Sequence, residues 1–223
     1  MVDKIKELAL NLGAWEVGFS KIEPAEEFPD LDNAISIVVK LSDSVIDMID
    51  DAPTYTYFHH YRTVNALIDQ ITLKIGFFLE QNGARYACVA ASQSFGREYR
   101  GLYSHKKAAV KAGLGCIGKN ALFMSEKYGP RVRLGTILTD MDLSAGYAEK
   151  ASENLCTECD LCIKACPAMA LSGRSFDPKK PENFIVDAQA CSRYMKEKFQ
   201  LIGRGSVCGI CMRVCPHGRK NNN

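Results

Sequence analysis

Blocks of hydrophobic and polar positions alternate along the first two thirds of the chain, and their spacing predicts intermixed helices and strands. Apolar residues recur at helical spacing over residues 2–12 and form a broad face over residues 61–81. Residues 104–112 predict a third helix, with Ser104 as its N-cap. The predicted strands are short apolar runs at residues 15–19, 34–41, 85–91, 121–124 and 132–139. This mixture predicts an α+β fold built as an α/β sandwich.

The composition is that of an ordinary globular protein, with 47% hydrophobic and 24% charged residues in a chain of 223. A net charge of +2 gives no strong electrostatic footprint for nucleic acid. The lack of any apolar run of about 18 residues argues against a membrane span, and the N-terminus lacks the layout of a secretory signal, so we expect a cytoplasmic protein. Near residue 150 the composition shifts to cysteine, lysine and proline, which predicts two domains, residues 1–149 and residues 150–223.

Eight of the ten cysteines crowd between residues 156 and 215. In a reducing compartment, clustered cysteines bind metal more often than they form disulfides. The spacing of bacterial 4Fe–4S ferredoxins, with its trailing proline, is matched in full by the first run, Cys156-x2-Cys159-x2-Cys162-x3-Cys166-Pro167. The second run lacks only its leading cysteine and reads Cys208-x2-Cys211-x3-Cys215-Pro216. Cys191 is the natural replacement for the missing ligand.

The motif also predicts which thiolates share a cluster, because the fourth cysteine of each run ligates the other cluster. Cluster one then takes Cys156, Cys159, Cys162 and Cys215. Cluster two takes Cys166, Cys191, Cys208 and Cys211. Pro167 is predicted to start a helix after the first run. A structural zinc site is the alternative, since Cys-x2-Cys pairs also bind zinc, but zinc explains the ferredoxin spacing poorly.

Two cysteines lie outside these runs. Cys88 falls in a predicted apolar strand and is expected to be a small core residue. Cys116 lies in a glycine-rich loop, where it either faces a ligand or is simply buried. His217 follows Cys215-Pro216, which makes it a candidate to hydrogen-bond near a cluster sulfur, with a surface position as the alternative.

The glycine-rich loop, residues 113–120, reads Gly-Leu-Gly-Cys-Ile-Gly-Lys-Asn. It contains G-x-G-x-x-G but lies between a predicted helix and a predicted strand, the reverse of the dinucleotide-binding order. It also resembles a P-loop, but Asn120 lacks the hydroxyl that holds magnesium. The glycines would let backbone N–H groups approach a ligand, and Lys119 offers a charge suited to phosphate. The alternative is a tight turn that needs glycine only for its dihedral angles.

Residues 104–120 and 129–140, followed by the two cysteine runs, resemble the epoxyqueuosine reductase family. The resemblance implies a nitroreductase-like α/β domain that binds base-off cobalamin beside a ferredoxin-like domain whose two 4Fe–4S clusters reduce the cobalt. Respiratory reductive dehalogenases share this arrangement. By resemblance, the residues that border the corrinoid are Ser104, His105, Gly113, Leu114, Gly115, Cys116, Gly118, Lys119 and Asn120.

The chain departs from the family pattern at the catalytic aspartate. Counting back without gaps, Tyr99 occupies that place, with Glu98 beside it. A reductase of an organic substrate needs a proton donor, and the candidates are Tyr99, His105 and Glu98. The alternatives are a surface loop for Tyr99 and a simple helix start for His105.

The tRNA-modifying members of the family continue into a helical repeat domain, whereas this sequence stops at Asn223. With a net charge of only +2, tRNA is a doubtful substrate. We expect a small organic substrate and an electron donor of the ferredoxin or flavodoxin type.

Three functions remain open from the sequence. The first is a cobalamin-dependent reductase with the clusters as electron relay. The second is a flavin-dependent reductase on the same scaffold, in which Lys119 and the glycine backbone bind the phosphate of FMN. The third is an electron-transfer or activator protein without substrate chemistry of its own.

Overall fold

The computed structural model describes residues 1–93, 99, 101–150 and 152–218. Its helices are α1 (Val2–Asn11), α2 (Asp43–Asp47), α3 (Tyr55–Gln81), α4 (His105–Lys111), α5 (Leu161–Ala165), α6 (Ala188–Lys198) and α7 (Ile210–Arg213). Its strands are β1 (Glu16–Lys21), β2 (Asn33–Lys40), β3 (Tyr86–Val89), β4 (Gly115–Ile117), β5 (Phe123–Ser125) and β6 (Val132–Thr139). The mixed α+β character expected from the sequence is therefore confirmed.

The chain divides into two compact units, each assembled from three separate segments. The first unit contains Met1–Lys40, Thr63–Gly115 and Arg133–Ser152. The second unit contains Leu41–Arg62, Cys116–Val132 and the chain from Glu153 onward. The predicted boundary near residue 150 is close to the last of these segment ends, and the division into two sequential domains stays a prediction.

A four-stranded sheet in the order β1-β2-β6-β3 forms the centre of the first unit. The pairs β1–β2 and β3–β6 are antiparallel, with Phe19 opposite Ile35 and Cys88 opposite Ile137. Strand β2 is buried along almost its whole length, as its continuous apolar run predicted. One group of buried side chains packs on this sheet and consists of Ile22, Ala25, Leu31, Ala34, Val89, Ala108 and Leu138.

A glycine in β6 permits close packing of the sheet on α3. A Cβ atom added at Gly135 would lie 2.5 Å from Ile68 Cγ2, closer than any real contact. Gly135 is therefore needed for space.

The structure corrects the predicted start of the long helix. It begins at Tyr55, not at residue 61, because the Thr54 hydroxyl accepts a hydrogen bond of 3.0 Å from the Tyr57 N–H and caps the first turn. His59 and His60 thus lie inside the helix. His60 Nε2 accepts a hydrogen bond of 3.0 Å from the Ser42 backbone N–H.

The second unit contains short elements that the sequence pattern did not predict, including α2, α5, α6, α7 and the β4–β5 pair. The predicted strand at residues 121–124 begins at Phe123, since Ala121 has φ 59° and belongs to a turn. Pro167 was wrongly predicted to start a helix. Helix α5 ends before it at Ala165, and a turn follows in which Met169 has φ 48°.

No helix in the part of the chain that the structure describes combines the length and the apolar character needed to cross a membrane.

Candidate functional site

A cavity in the second unit is lined by cysteine side chains from distant parts of the sequence. Helix α5 carries Cys162, and Cys215 follows the end of α7. The four cysteines that line the cavity are Cys156, Cys159, Cys162 and Cys215. The other lining residues are Asn120, Leu161, Pro216 and His217. The cavity therefore gathers the four thiols that the ferredoxin spacing assigned to one cluster.

The remaining three thiols of the two runs, together with that of Cys191, also lie near one another. Burial raises the pKa of Cys191 to about 11, and the neighbouring thiols of Cys208 and Cys166 contribute to the rise. Burial also raises the pKa of Cys211, and the neighbouring thiols of Cys208, Cys191, Cys166 and Cys162 contribute to the rise. Cys191 lies on α6 and Cys211 on α7, so the fold brings the detached cysteine to the second run.

The chemistry of both groups fits iron–sulfur clusters. Burial raises the pKa of Cys215 to about 11, so a bound cation must displace the proton for the thiolate to form. Backbone N–H groups already point at the sulfurs: His217 donates to Cys215, and Ala170 donates to Cys166 Sγ at 3.5 Å. Such N–H···S bonds stabilise thiolate ligands and tune a cluster.

A single metal ion fits less well. Across residues 1–93, 99, 101–150 and 152–218, no three His, Cys, Asp or Glu side chains converge closely enough to hold one ion. In a cluster each thiolate binds a different iron atom, so the four sulfurs need not meet at one point.

The second half of the glycine-rich loop packs on the cysteine cavity. Cys116 is buried and contacts Met124 and Cys215, and its sulfur accepts a hydrogen bond of 3.5 Å from the Leu155 N–H. Asn120 lines the cavity, and its side-chain oxygen accepts a hydrogen bond of 3.1 Å from the Leu122 N–H. These residues of the loop thus form a wall of the cavity.

Lys119 is also directed to the cysteine segment. Its Nζ donates hydrogen bonds to the carbonyl oxygens of Thr157, at 2.8 Å, and Cys159, at 3.4 Å. The phosphate contact expected for Lys119 has no support in this arrangement, because the ammonium group is already engaged with protein carbonyls.

The first half of the loop is a turn that packs inside the first unit. Gly113 has φ 69°, and a Cβ atom there would lie 2.5 Å from the Ala148 Cβ. Leu114 packs on β1, where a Cβ atom at Gly18 would lie 2.9 Å from Leu114 Cγ. Gly115 begins β4. In the second half of the loop, which belongs to the second unit, a Cβ atom at Gly118 would lie 2.8 Å from Asn120 Oδ1. Turn geometry and close packing therefore account for these positions.

The N-terminal turn of α4 is fixed to the sheet through His105. Its Nε2–H donates to the Ala90 carbonyl at 3.1 Å, and its Nδ1 accepts from the Thr136 hydroxyl at 2.8 Å. Burial lowers the pKa of His105 to about 4, so the ring is neutral at physiological pH. Ser104 caps the same helix by accepting a hydrogen bond of 3.4 Å from the Lys107 N–H. These contacts are structural and give no support to His105 as a proton donor.

The neutral, largely desolvated ring of His105 is expected to make the fold sensitive to acid. In the unfolded chain His105 binds a proton below its ordinary pKa of 6.5, but in the folded chain only below about 4. Stability should therefore fall as the pH is lowered from 6.5 to 4, by about 3 kcal/mol for this residue. Thermal melts of the wild type and of His105→Gln, compared across this pH range, should show a shallower slope for the variant. Lys107→Gln, an exposed change on the same helix, should keep the wild-type slope.

The other proton-donor candidates are placed as follows. Tyr99 has φ 56° and is 44% exposed, whereas Glu98 lies outside the described residues. Lys106 is a further titratable residue on α4, and its pKa is lowered to about 8 by burial and by the adjacent charge of Lys107. No sequence pattern singles out Lys106, because it is one of several lysines on α4 and only packing distinguishes it.

Comparisons with known proteins agree with the cysteine chemistry. Residues 155–218 match the family model described as a 4Fe-4S double cluster binding domain. An epoxyqueuosine reductase from Synechococcus sp. (strain RCC307) is 30% identical over 165 residues, which cover 70% of this chain and 45% of that protein. A tetrachloroethene reductive dehalogenase from Desulfitobacterium hafniense is 35% identical over 121 residues, covering 48% of this chain and 21% of that protein.

The fold is shared with a solved reductive dehalogenase whose structure was described with a mechanism for B12-dependent dehalogenation. The TM-score is 0.76 at 20% identity, and the match covers 97% of this chain and 31% of the other. The resemblance drawn from residues 104–140 and the cysteine runs is confirmed by these matches. The chain spans between about a fifth and a half of the length of the curated relatives it matches.

Proposed function

We propose that this chain, which is an epoxyqueuosine reductase-like protein related to the reductive dehalogenases, is an oxidoreductase that passes electrons through two 4Fe–4S clusters to a corrinoid. The observation that carries the proposal is the placement of eight cysteines, of which four line one cavity and the other four have thiols close enough to one another to raise the pKa of Cys191 and Cys211. The matched double-cluster family and the two reductase relatives support it. The substrate is a small organic molecule.

We assign the two clusters to the two groups of thiols. Cluster one is held by the cavity-lining set, and cluster two by the set that includes Cys191 on α6. When bound, such clusters supply one-electron transfer at low potential. The chain would supply the cysteine ligands, whose thiols lose their protons when the cluster binds. It also supplies backbone N–H groups that donate to the sulfurs of Cys166 and Cys215.

We assign the first unit to a nitroreductase-like α/β sandwich and the cysteine segment from residue 150 to a ferredoxin-like domain. The first unit then supplies the environment of the corrinoid and the substrate. Tyr99 is the candidate proton donor that the described residues retain, because its phenol is 44% exposed while His105 is bound on both nitrogens.

An electron-transfer protein without its own substrate is the second candidate. It is favoured by the contacts of Leu114, Cys116 and Lys119, which pack within the protein although all three were expected to border the corrinoid. The flavin alternative is weaker, because the Lys119 ammonium group binds carbonyl oxygens where an FMN phosphate was expected. The electron source in either case is a donor of the ferredoxin or flavodoxin type.

An anaerobic titration with cobalamin tests the corrinoid part of the proposal. The protein is reconstituted with iron and sulfide, titrated with cob(II)alamin, and examined by EPR. We expect one equivalent of cobalamin to convert to the base-off signal. If the spectrum stays base-on at saturating protein while both clusters are intact, the proposal that the protein binds a corrinoid is wrong. The electron-transfer function would then remain. Fluorescence of flavin released by denaturation serves as the control for FMN.

A further inference from the structure

Residues 116–124, here called the wall segment, make a series of contacts with the cysteine loop that precedes α5. Cys116 accepts a hydrogen bond from the Leu155 N–H and packs on Cys215. Asn120 lines the same cavity as the four thiols of cluster one. Residues 116–120 of the wall segment belong to the glycine-rich loop, for which the sequence left a ligand contact and a tight turn open. Their contacts point to the cluster itself as the group they serve.

Lys119 makes the most specific of these contacts. Its ammonium group bridges the carbonyl oxygens of Thr157 and Cys159, at 2.8 and 3.4 Å, and so spans the short loop between the first two ligands of cluster one. A lysine ammonium has three donors and a full charge, and carbonyl oxygens can only accept, so the pairing is chemically matched. Both carbonyl oxygens belong to residues outside the helices and strands, and Lys119 supplies each with a donor.

The charge of Lys119 lies beside the loop that carries two ligands of cluster one. The side chain is partly buried, and Thr157 and Cys159 are the two residues it contacts within the Cys156–Cys159 loop. A second lysine of this region, Lys164, is instead 72% exposed and pairs with Asp160 at 2.9 Å. Solvent screens an exposed and paired charge far more than a partly buried one.

We propose that Lys119 is a positioning residue for cluster one, which fixes the Cys156–Cys159 loop and raises the reduction potential of the cluster. The proposal rests on the proposed function only in requiring a cluster at this cavity. Reduction adds one negative charge to a cluster, and a nearby fixed cation favours the reduced state. Removal of that cation should therefore shift one cluster, and not the other, to lower potential.

The experiment compares Lys119→Gln, Lys119→Arg and Lys164→Gln in the full, reconstituted chain. Potentiometric titration followed by EPR gives the midpoints of both clusters, and the Cys191→Ser variant assigns the midpoint of cluster one. We expect Lys119→Gln to lower the ratio of reduced to oxidised cluster one about tenfold at a given potential, which is a shift of about 59 mV for a one-electron couple. Lys119→Arg and Lys164→Gln should stay close to the wild type.

The possible outcomes distinguish the role of Lys119 from the presence of cluster one. If Lys119→Gln keeps its iron but leaves both midpoints unchanged, the proposal is wrong while the cluster assignment stands. If Lys119→Gln loses about half its iron and Lys119→Arg retains it, the anchoring role is supported by rescue. Loss of the cluster in both variants, or an equal shift in both, overturns the role of the charge. A wild-type protein without a cluster at this cavity would instead refute the proposed function.

Discussion

Replacing Cys191 with serine is expected to remove about half of the iron from the reconstituted protein, because one of two four-iron clusters loses a ligand. Cys191 lies 25 residues after Cys166 and 17 residues before Cys208 and belongs to neither motif by spacing, yet its half-buried thiol lies near those of Cys208 and Cys166. A serine oxygen is a poorer ligand for iron than a thiolate. Iron and acid-labile sulfide per chain, with EPR of the reduced protein, measure the loss.

The remaining thiols provide matched controls for this prediction. Cys88→Ser changes a cysteine of β3 that neither group contains, and Cys116→Ser changes the thiol that packs against Cys215 without completing either set of four. Both variants should keep the full iron content. Wild-type iron in Cys191→Ser, or loss of iron in Cys116→Ser, would show that the ligand assignment is wrong.

The double substitution Asp43→Asn and Asp47→Asn is expected to lower the free energy of unfolding by about 3–5 kcal/mol, because it leaves a buried charge without counterions. Arg131 is fully buried, and its guanidinium donates to Asp43 at 3.2 Å and to Asp47 at 2.6 Å. Its Nε has no hydrogen-bond partner among the described residues, so little remains to compensate the charge once both carboxylates are gone. Anaerobic denaturation followed by circular dichroism measures the effect.

An exposed ion pair gives the comparison for Arg131. Glu23 pairs with Lys111 at 2.6 Å, but its side chain is 84% exposed. Glu23→Gln should cost less than about 1 kcal/mol, as surface pairs do. If the Asp43 and Asp47 double variant is destabilised no more than Glu23→Gln, the buried charge of Arg131 is compensated by contacts other than these two carboxylates.

Sequence patterns predicted the first unit well where the hydrophobic signal was continuous. Strand β6 occupies the predicted residues 132–139, and α4 lies within the predicted helix with Ser104 as its cap. The start of α3 was missed, because the first two turns are polar and aromatic and are identified only by the cap at Thr54. Helix boundaries of this kind depend on a single side-chain hydrogen bond.

The second unit was harder to predict because its elements are too short to show a period. Helices α5 and α7 have five and four residues, less than the length over which helical spacing becomes visible. The convergence of Cys156, Cys159, Cys162 and Cys215 on one cavity agrees with the ferredoxin spacing, whereas the assignment of ligands to two clusters stays a prediction. The hydrogen bonds of Lys119 could not be predicted from the sequence, because they join residues about 40 positions apart in the chain.

The proton donor is the least determined part of the site. The sequence offered Tyr99, His105 and Glu98 as candidates. Of these, the structure gives hydrogen-bond partners for His105, whose two ring nitrogens are bound to Ala90 and Thr136. Ring tautomer and burial are set by tertiary packing, so no residue pattern could have predicted these two hydrogen bonds, and the choice of donor stays a prediction.

The iron and acid-labile sulfide content of the wild-type protein, reconstituted anaerobically and freed of loose metal, shows whether the chain holds two 4Fe–4S clusters. We expect about eight irons and eight sulfides per chain, as two cubanes require, with EPR signals of two interacting clusters after reduction. A content of about four irons would contradict the second ligand set. Stoichiometric zinc with no sulfide would contradict the clusters altogether.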